Sequence, residues 1–163
     1  MKLNQQRRVF ADNLHRKMEN NKNIFLIVAD LGYKVFDKNF INFPDRCINV
    51  GASEQAMVGI AVGLALNDKI PFVYSITNFL LYRPFETLRN YLQYEKIPVK
   101  LVGVGRDQDY KDGGVSHWST DAKRVLNVLD NIKQFWPENA AEIPLMIKEI
   151  INNGTSSFIS LKR

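Results

Sequence analysis

Between Ile48 and Leu66 the chain reads Ile-Asn-Val-Gly-Ala-Ser-Glu-Gln-Ala-Met-Val-Gly-Ile-Ala-Val-Gly-Leu-Ala-Leu: a short apolar strand, a Gly-Ala-Ser turn and a helix with no polar face. A helix that is apolar almost all round must be covered on every side, which confines it to the inside of a layered fold. Gly59 and Gly63, four residues apart, make a smooth stripe along which a second helix can approach closely. The only acid in the stretch is Glu54. Ser53 is a good N-cap, so Glu54 falls in the first helical turn, at the end of a strand and the mouth of a helix, where open α/β sheets hold their ligands. A carboxylate there is either ordinary complementarity to the helix dipole or a reagent. Ahead of a fully covered helix it is shielded from water, as a proton-transfer group requires.

The remaining chain repeats the same alternation. Residues 5–20 have helical spacing, with Phe10, Leu14 and Met18 in one stripe, and Asn20-Asn-Lys-Asn23 ends it. Ile24-Phe-Leu-Ile-Val-Ala-Asp30 is a continuous apolar run of strand length that ends in an acid, as a strand covered on both faces does. The segment 31–45 reads as a loop, Arg46–Val50 as a strand, and Pro71–Ile76 as another buried strand. An aromatic loop with Phe79 and Tyr82 follows, and Pro84 fits the first turn of a helix running to about Glu95. Pro98–Gly105 is the next strand, and Arg106–Ser119 is a polar loop carrying Asp107, Asp109, Asp112 and His117. Thr120 opens a short helix through Leu126, and Ile132–Trp136 is a strand. The helix 139–152 contains Pro144, so it kinks there or starts later, and Ser156–Leu161 is the last strand. Six strands alternating with helices predict an α/β fold: a doubly wound, mostly parallel six-stranded sheet with helices on both faces. Asp30, Glu54, Ile76 to Phe79 and the 105–119 loop then gather at one edge of that sheet, which is the default site.

Composition narrows the function classes. The chain has 163 residues, one domain's worth, and is small for a complete cofactor enzyme. Its net charge of +5 is dispersed, without a basic run or aromatic interleaving, so an anionic small ligand or an acidic partner is expected rather than nucleic acid. One cysteine and two histidines exclude an internal disulfide framework and a zinc constellation. The longest apolar stretch, 56–66, is too short to span a membrane, and no signal peptide is read, so a cytoplasmic protein is expected.

Five segments resemble the pyrimidine-binding domain of the transketolase family of thiamine diphosphate enzymes: Ala29-Asp30-Leu31-Gly32; Gly51-Ala-Ser-Glu54-Gln-Ala-Met-Val-Gly-Ile-Ala-Val-Gly63; Pro71-Phe-Val-Tyr-Ser-Ile-Thr-Asn-Phe79; Arg83-Pro-Phe-Glu-Thr-Leu-Arg-Asn90; and Gly113-Gly-Val-Ser-His117-Trp-Ser-Thr-Asp121. Each alone is weak, but five in family order and spacing, from about Arg7 to Lys162, are specific. The resemblance implies that Glu54 hydrogen-bonds the cofactor's aminopyrimidine and activates it for transfer of a two-carbon ketol unit. It implies that Phe79 flanks the pyrimidine, where the residues alone allow core packing equally. Asp30 and Leu31 would lie near the cofactor at a subunit boundary, although a turn role suits Asp30 as well. Ile76 and Tyr82 complete the implied cofactor set. His117 matches an active-site histidine that handles substrate oxygens, where a surface histidine is the plain alternative. Arg7, Lys34 and Lys162 fall near the groups that hold the anionic end of a substrate, and Asp112 lies near an acid used on a substrate hydroxyl.

The departures shape the expectation. Ile76 stands where transketolases proper carry a stacking aromatic, no second histidine lies near Gly105 or Arg106, and Asp112 precedes His117 by five residues where the pattern has four. Nothing resembles the Gly-Asp-Gly…Asn signature that holds metal and diphosphate. The expectation is therefore a single domain, 1–163, acting as the small subunit of a split enzyme, with the diphosphate-binding and C-terminal domains absent. No metal ligand is expected in it. Thiamine diphosphate would be shared with a diphosphate-binding partner, which would also hold Mg2+ or Ca2+, in a two-fold arrangement of heterodimers. A small anionic sugar or 2-oxo acid would be the substrate. The alternatives are a subunit of a 2-oxo-acid decarboxylase or acyl transferase, and a non-catalytic partner domain.

Overall fold

Six apolar runs pair into one sheet in the computed structural model, which describes residues 5–163. They are β1 (Ile24–Val28), β2 (Cys47–Asn49), β3 (Ile70–Ile76), β4 (Lys100–Val104), β5 (Lys133–Phe135) and β6 (Ser157–Leu161), in the spatial order β2-β1-β3-β4-β6-β5. Every pairing is parallel, with Leu26 opposite Phe72 and Tyr74 opposite Val102. Parallel strands need crossover connections, and here helices supply most of them. The sheet is therefore sandwiched, which is why its strands read as unbroken apolar runs. Leu26, Val28, Phe72 and Tyr74 face the layer of α1 (Gln5–Asn20) and α7 (Ile143–Asn152), where Phe10, Leu14, Ile143 and Ile147 are fully buried. Ile27, Val73 and Leu101 face the other layer, with α3 (Glu54–Ala65), α4 (Thr77–Tyr82) and α6 (Ala122–Asn127).

The chain leaves β1 for β2 on one side and returns across it to β3 on the other, so the strand order reverses at the C-terminal ends of β1 and β3. A crevice opens at such a reversal.

Several expectations need correction. The segment read as a loop over 31–45 contains α2 (Asp37–Asn42), too short to show a period of its own, and a single 3-10 turn at Pro44–Arg46. The aromatic loop around Phe79 and Tyr82 is α4, a helix of under two turns that starts as soon as β3 ends. Beyond Pro84, α5 (Phe85–Thr87) continues as a wider π-helical stretch, Leu88–Tyr94. Ser53 holds the N-cap position of α3 without a side-chain capping bond. Of the two alternatives for Pro144 the later start holds: α7 begins at Ile143 with Pro144 in its first turn, behind a capping box between Asn139 and Glu142. Finally, α3 is covered on one side only. Met57, Val58, Ala61 and Val62 are buried, whereas Ala56, Gly59, Ile60 and Gly63 face outward, and a Cβ built on either glycine meets no atom within 4 Å.

Cys47 and Lys100 are buried away from the crevice. The Cys47 thiol is pushed up to about 11 by burial, so it stays protonated and inert near neutral pH. Lys100, 3 % exposed at the start of β4, donates to Asn153 Oδ1 at 3.1 Å and to the Thr155 carbonyl at 2.5 Å. Burial pulls its pKa down to about 8 from 10.5. Between those values the unfolded chain binds the proton that the folded chain has released, so this site's contribution to stability rises with pH across that window. Urea midpoints measured from pH 8 to 10.5 are expected to climb in the parent relative to Lys100→Met, in which that slope is gone. Parallel curves would show that Lys100 does not titrate there.

Candidate functional site

Glu54 is the first residue of α3 and only 1 % exposed. A carboxylate so far from water requires hydrogen-bonding partners. It has two: Ser75 Oγ donates to Oε1 at 2.8 Å, and Arg83 donates from its guanidinium to Oε2 at 2.5 Å. Ser75 lies one residue from the end of β3, and Arg83 closes α4, so two consecutive elements aim their polar groups at the acid. Gln55, the next residue of α3, donates to Thr87 Oγ1 at 2.7 Å and ties α3 to α5.

Phe79 lies one helical turn before Arg83. Its half-buried ring carries the Arg83 guanidinium on one face, 3.7 Å from centroid to guanidinium carbon, and meets His117 edge-on at 4.9 Å between centroids. His117 ends a 3-10 turn, Val115–His117, that is fastened to α4 by Asn78 Nδ2, which donates to the Ser116 carbonyl at 3.1 Å. The His117 Nδ1 lies 3.0 Å from the Gly113 carbonyl. Ser116 Oγ lies at the same distance from Nδ1; since a carbonyl only accepts, the tautomer that satisfies the Gly113 contact carries its proton on Nδ1 and turns Nε2 outward as the acceptor. Gly113 has no room for a side chain, since a Cβ there would lie 2.5 Å from the imidazole. Glu54, Ile76, Phe79 and His117, far apart in sequence, therefore share one end of the sheet with Ser75 and Arg83.

Asp30 stands across the strand-order reversal, in a left-handed conformation at φ 52. The Asn49 side chain bridges to it: Asn49 Oδ1 accepts from the Asp30 and Gly51 backbone N–H groups, each at 3.0 Å, which shapes the turn leading into α3. Asp30, Leu31, Gly32 and Tyr33 border a cavity of about 240 Å³ toward Asp37 and Asn49. The same four residues border a second cavity, of about 220 Å³, closed by Arg7, Tyr74 and Tyr110. The Arg7 guanidinium lies near the Tyr74 hydroxyl, whose pKa burial drives well above the usual tyrosine value, and among the described residues the Arg7 Nε is buried without a partner. Tyr110 packs against the Cα of Gly105, where a Cβ would come within 2.3 Å of the ring and φ is +84. Only glycine fits there.

The other sequence-predicted residues lie elsewhere. The Tyr82 hydroxyl bonds to Asp121 beside a groove lined by Phe85, Arg124, Val125 and Val128, and its pKa is raised to about 12 by burial and that carboxylate. Lys34 is exposed and lies 5.6 Å from the Tyr33 ring. Asp112 is exposed on the 3-10 turn Lys111–Gly113. Lys162 pairs with Glu138 at 2.9 Å, holding that carboxyl below its ordinary range, beside Arg106. Arg106 itself turns inward to the Pro137 and Ser160 carbonyls and Glu138.

Sequence reasoning missed Ser75 and Arg83 as partners of the acid. A hydroxyl inside a strand buried on both faces needs an acceptor, and that was the signal for Ser75. Phe79 and Arg83 are four residues apart, a stacking distance only if the segment is helical, and it read as a loop.

The sequence matches the family described as "Transketolase, pyrimidine binding domain" over residues 4–163. It is 33% identical over 136 residues to an apulose-4-phosphate transketolase subunit of Actinobacillus succinogenes, covering 83% of this chain and 44% of that protein. It is 27% identical over 158 residues to a 6-deoxy-6-sulfo-D-fructose transketolase subunit of a Clostridium species, covering 96% and 49%. A solved structure of a split gene transketolase, an inactive β4 tetramer, superimposes with a TM-score of 0.85 at 30% identity, covering 97% of this chain and 51% of that one. The transketolase of Campylobacter jejuni shares the fold, with a TM-score of 0.86 at 19% identity, covering 96% and 25%. The chain thus spans about half the length, or less, of the curated relatives it matches. A family match over residues 4–163, together with a split-gene transketolase structure that superimposes over nearly the whole chain at 30% identity, shows that this chain belongs to the transketolase pyrimidine-binding domain family.

Proposed function

We propose that this chain is the pyrimidine-binding subunit of a split, thiamine diphosphate-dependent, transketolase-like enzyme that transfers a two-carbon ketol unit. The observation that carries the reading is the Glu54 carboxylate, 1 % exposed near the reversal of the strand order and joined to the ring of Phe79 through the Arg83 guanidinium that touches both. The site suits an aminopyrimidine: a buried acceptor next to an aromatic face, with Ile76 contributing apolar surface. Thiamine diphosphate, when bound, supplies the electron sink for making and breaking a carbon–carbon bond beside a carbonyl. Glu54, shielded from water, would accept a hydrogen bond from a ring N–H and exchange the proton with that nitrogen. Phe79 flanks the ring, and His117, its Nδ1–H fixed on the Gly113 carbonyl, offers Nε2 to a substrate oxygen. Arg7, with its buried Nε, is the group of this chain best situated for the anionic end of a substrate; Lys34, Asp112 and Lys162 are secondary candidates. Asp30 and Leu31 line the approach.

Among the described residues no group of three or more His, Cys, Asp and Glu side chains is arranged to hold a metal ion. In this reading the diphosphate and its Mg2+ or Ca2+ belong to a diphosphate-binding partner, in a two-fold assembly of heterodimers. Relatives that are themselves called transketolase subunits support this. No helix among the described residues is long and apolar enough to cross a membrane. The outward face of α3 (Ala56, Gly59, Ile60, Gly63) is the proposed contact with the partner.

The test is co-purification with the diphosphate-binding subunit, followed by cofactor titration and substrate profiling. Saturable cofactor binding by the pair and consumption of a ketose are expected. Carbon dioxide release from a 2-oxo acid with no ketose consumed would instead favour a decarboxylase or acyl transferase.

A further inference from the structure

Arg83 makes two contacts at once. Its guanidinium lies against Phe79, 3.7 Å from the ring centroid, and donates an N–H to Glu54 Oε2 at 2.5 Å. A planar cationic donor stacked on Phe79 and bonded to Glu54 reproduces what the proposed function asks of the aminopyrimidine. The two demands compete, because Arg83 already occupies Oε2 and a face of Phe79, while the other carboxylate oxygen accepts from Ser75 and His117 packs against the same ring. The partners also differ in freedom. Glu54 is 1 % exposed and fixed at the start of α3, whereas the Arg83 side chain is 45 % exposed on a long flexible stem.

We propose that Arg83 is a displaceable stand-in for the aminopyrimidine: it keeps the buried carboxylate paired and the Phe79 face ordered, and swings into solvent when the cofactor ring enters. The inference rests on the reading of Glu54 as the ring's partner. Loading then exchanges one partner of a buried acid for another instead of leaving a bare carboxylate to be desolvated. Apparent cofactor affinity is reduced by the fraction of molecules in which Arg83 is already out, and removing the arginine removes that reduction.

The experiment uses the assembled pair of subunits and thiamine diphosphate with Mg2+, read by calorimetric titration and by melting temperature with and without cofactor. Arg83→Met is expected to lower the melting temperature of the unloaded complex, to tighten cofactor binding about tenfold, and to enlarge the cofactor-induced melting shift. Arg83→Lys keeps the charge but loses the flat stack, so its affinity should fall between the two; it carries the test should Arg83→Met not assemble. Unchanged or weaker binding in the variant that assembles overturns the stand-in. Glu54→Gln separates the two ideas. If it binds the cofactor as tightly as the parent, the reading of Glu54 fails and takes the stand-in with it. If it binds weakly while Arg83→Met matches the parent, the stand-in alone fails.

Discussion

Glu54→Gln is expected to lower turnover of the assembled enzyme by about 10²–10⁴-fold, the range for losing a positioned proton-transfer group. The subunit should stay folded, because the two side chains have nearly the same shape and the glutamine oxygen still accepts from Ser75 or Arg83. The stability cost stays at about 1 kcal/mol, since Arg83 is nearly half exposed and is not stranded when its partner loses charge. Removing the arginine is different, because it leaves an acid that is 1 % exposed without its cationic partner. Turnover with saturating cofactor, measured beside the urea midpoint of the same preparation, decides the matter. Full activity in Glu54→Gln would make the acid a purely structural group.

The second large effect belongs to the other side of α3. A tryptophan at Gly63 points into open space in this chain, because a Cβ there meets no atom within 4 Å. Replacing a helical glycine also removes a helix-propensity penalty of about 0.5–1 kcal/mol. The free subunit should therefore be as stable as the parent or slightly more so. In the complex the indole has to fit where a bare glycine lets the partner approach, and overpacking of that kind costs about 1–3 kcal/mol. Association with the diphosphate-binding subunit should weaken by roughly 5- to 150-fold, with Gly63→Ala causing a smaller loss. Sedimentation of the mixed subunits reads this directly, and an unimpaired Gly63→Trp complex would move the interface off α3. The exposed Ile60 beside the stripe makes the same face apolar.

The sheet was legible because its strands are buried on both faces: runs such as Ile24–Val28 and Ile70–Ile76 are apolar at nearly every position that the two layers cover. Short helices were not. In α4, six residues between a strand and Pro84 hold too few turns for a period to emerge, and the aromatic side chains there fit a loop equally well. The outward face of α3 misled for a different reason, since apolar patterning records what must be covered without saying that this chain does the covering. At the site, motif spacing brought Glu54, Phe79 and His117 to one sheet edge. It could not reach the pairing of Arg83 with Glu54, because a contact across 29 positions is decided by how α4 ends and not by any local pattern.

Cys47 has a practical consequence. As the sole thiol of the chain, buried and protonated near neutral pH, it is passed over by maleimides and similar probes. A cysteine introduced at Gly59 would then be the one reactive handle, so a fluorophore can be attached to the outer face of α3 without first building a thiol-free background, and docking of a second polypeptide can be followed as quenching or anisotropy in real time.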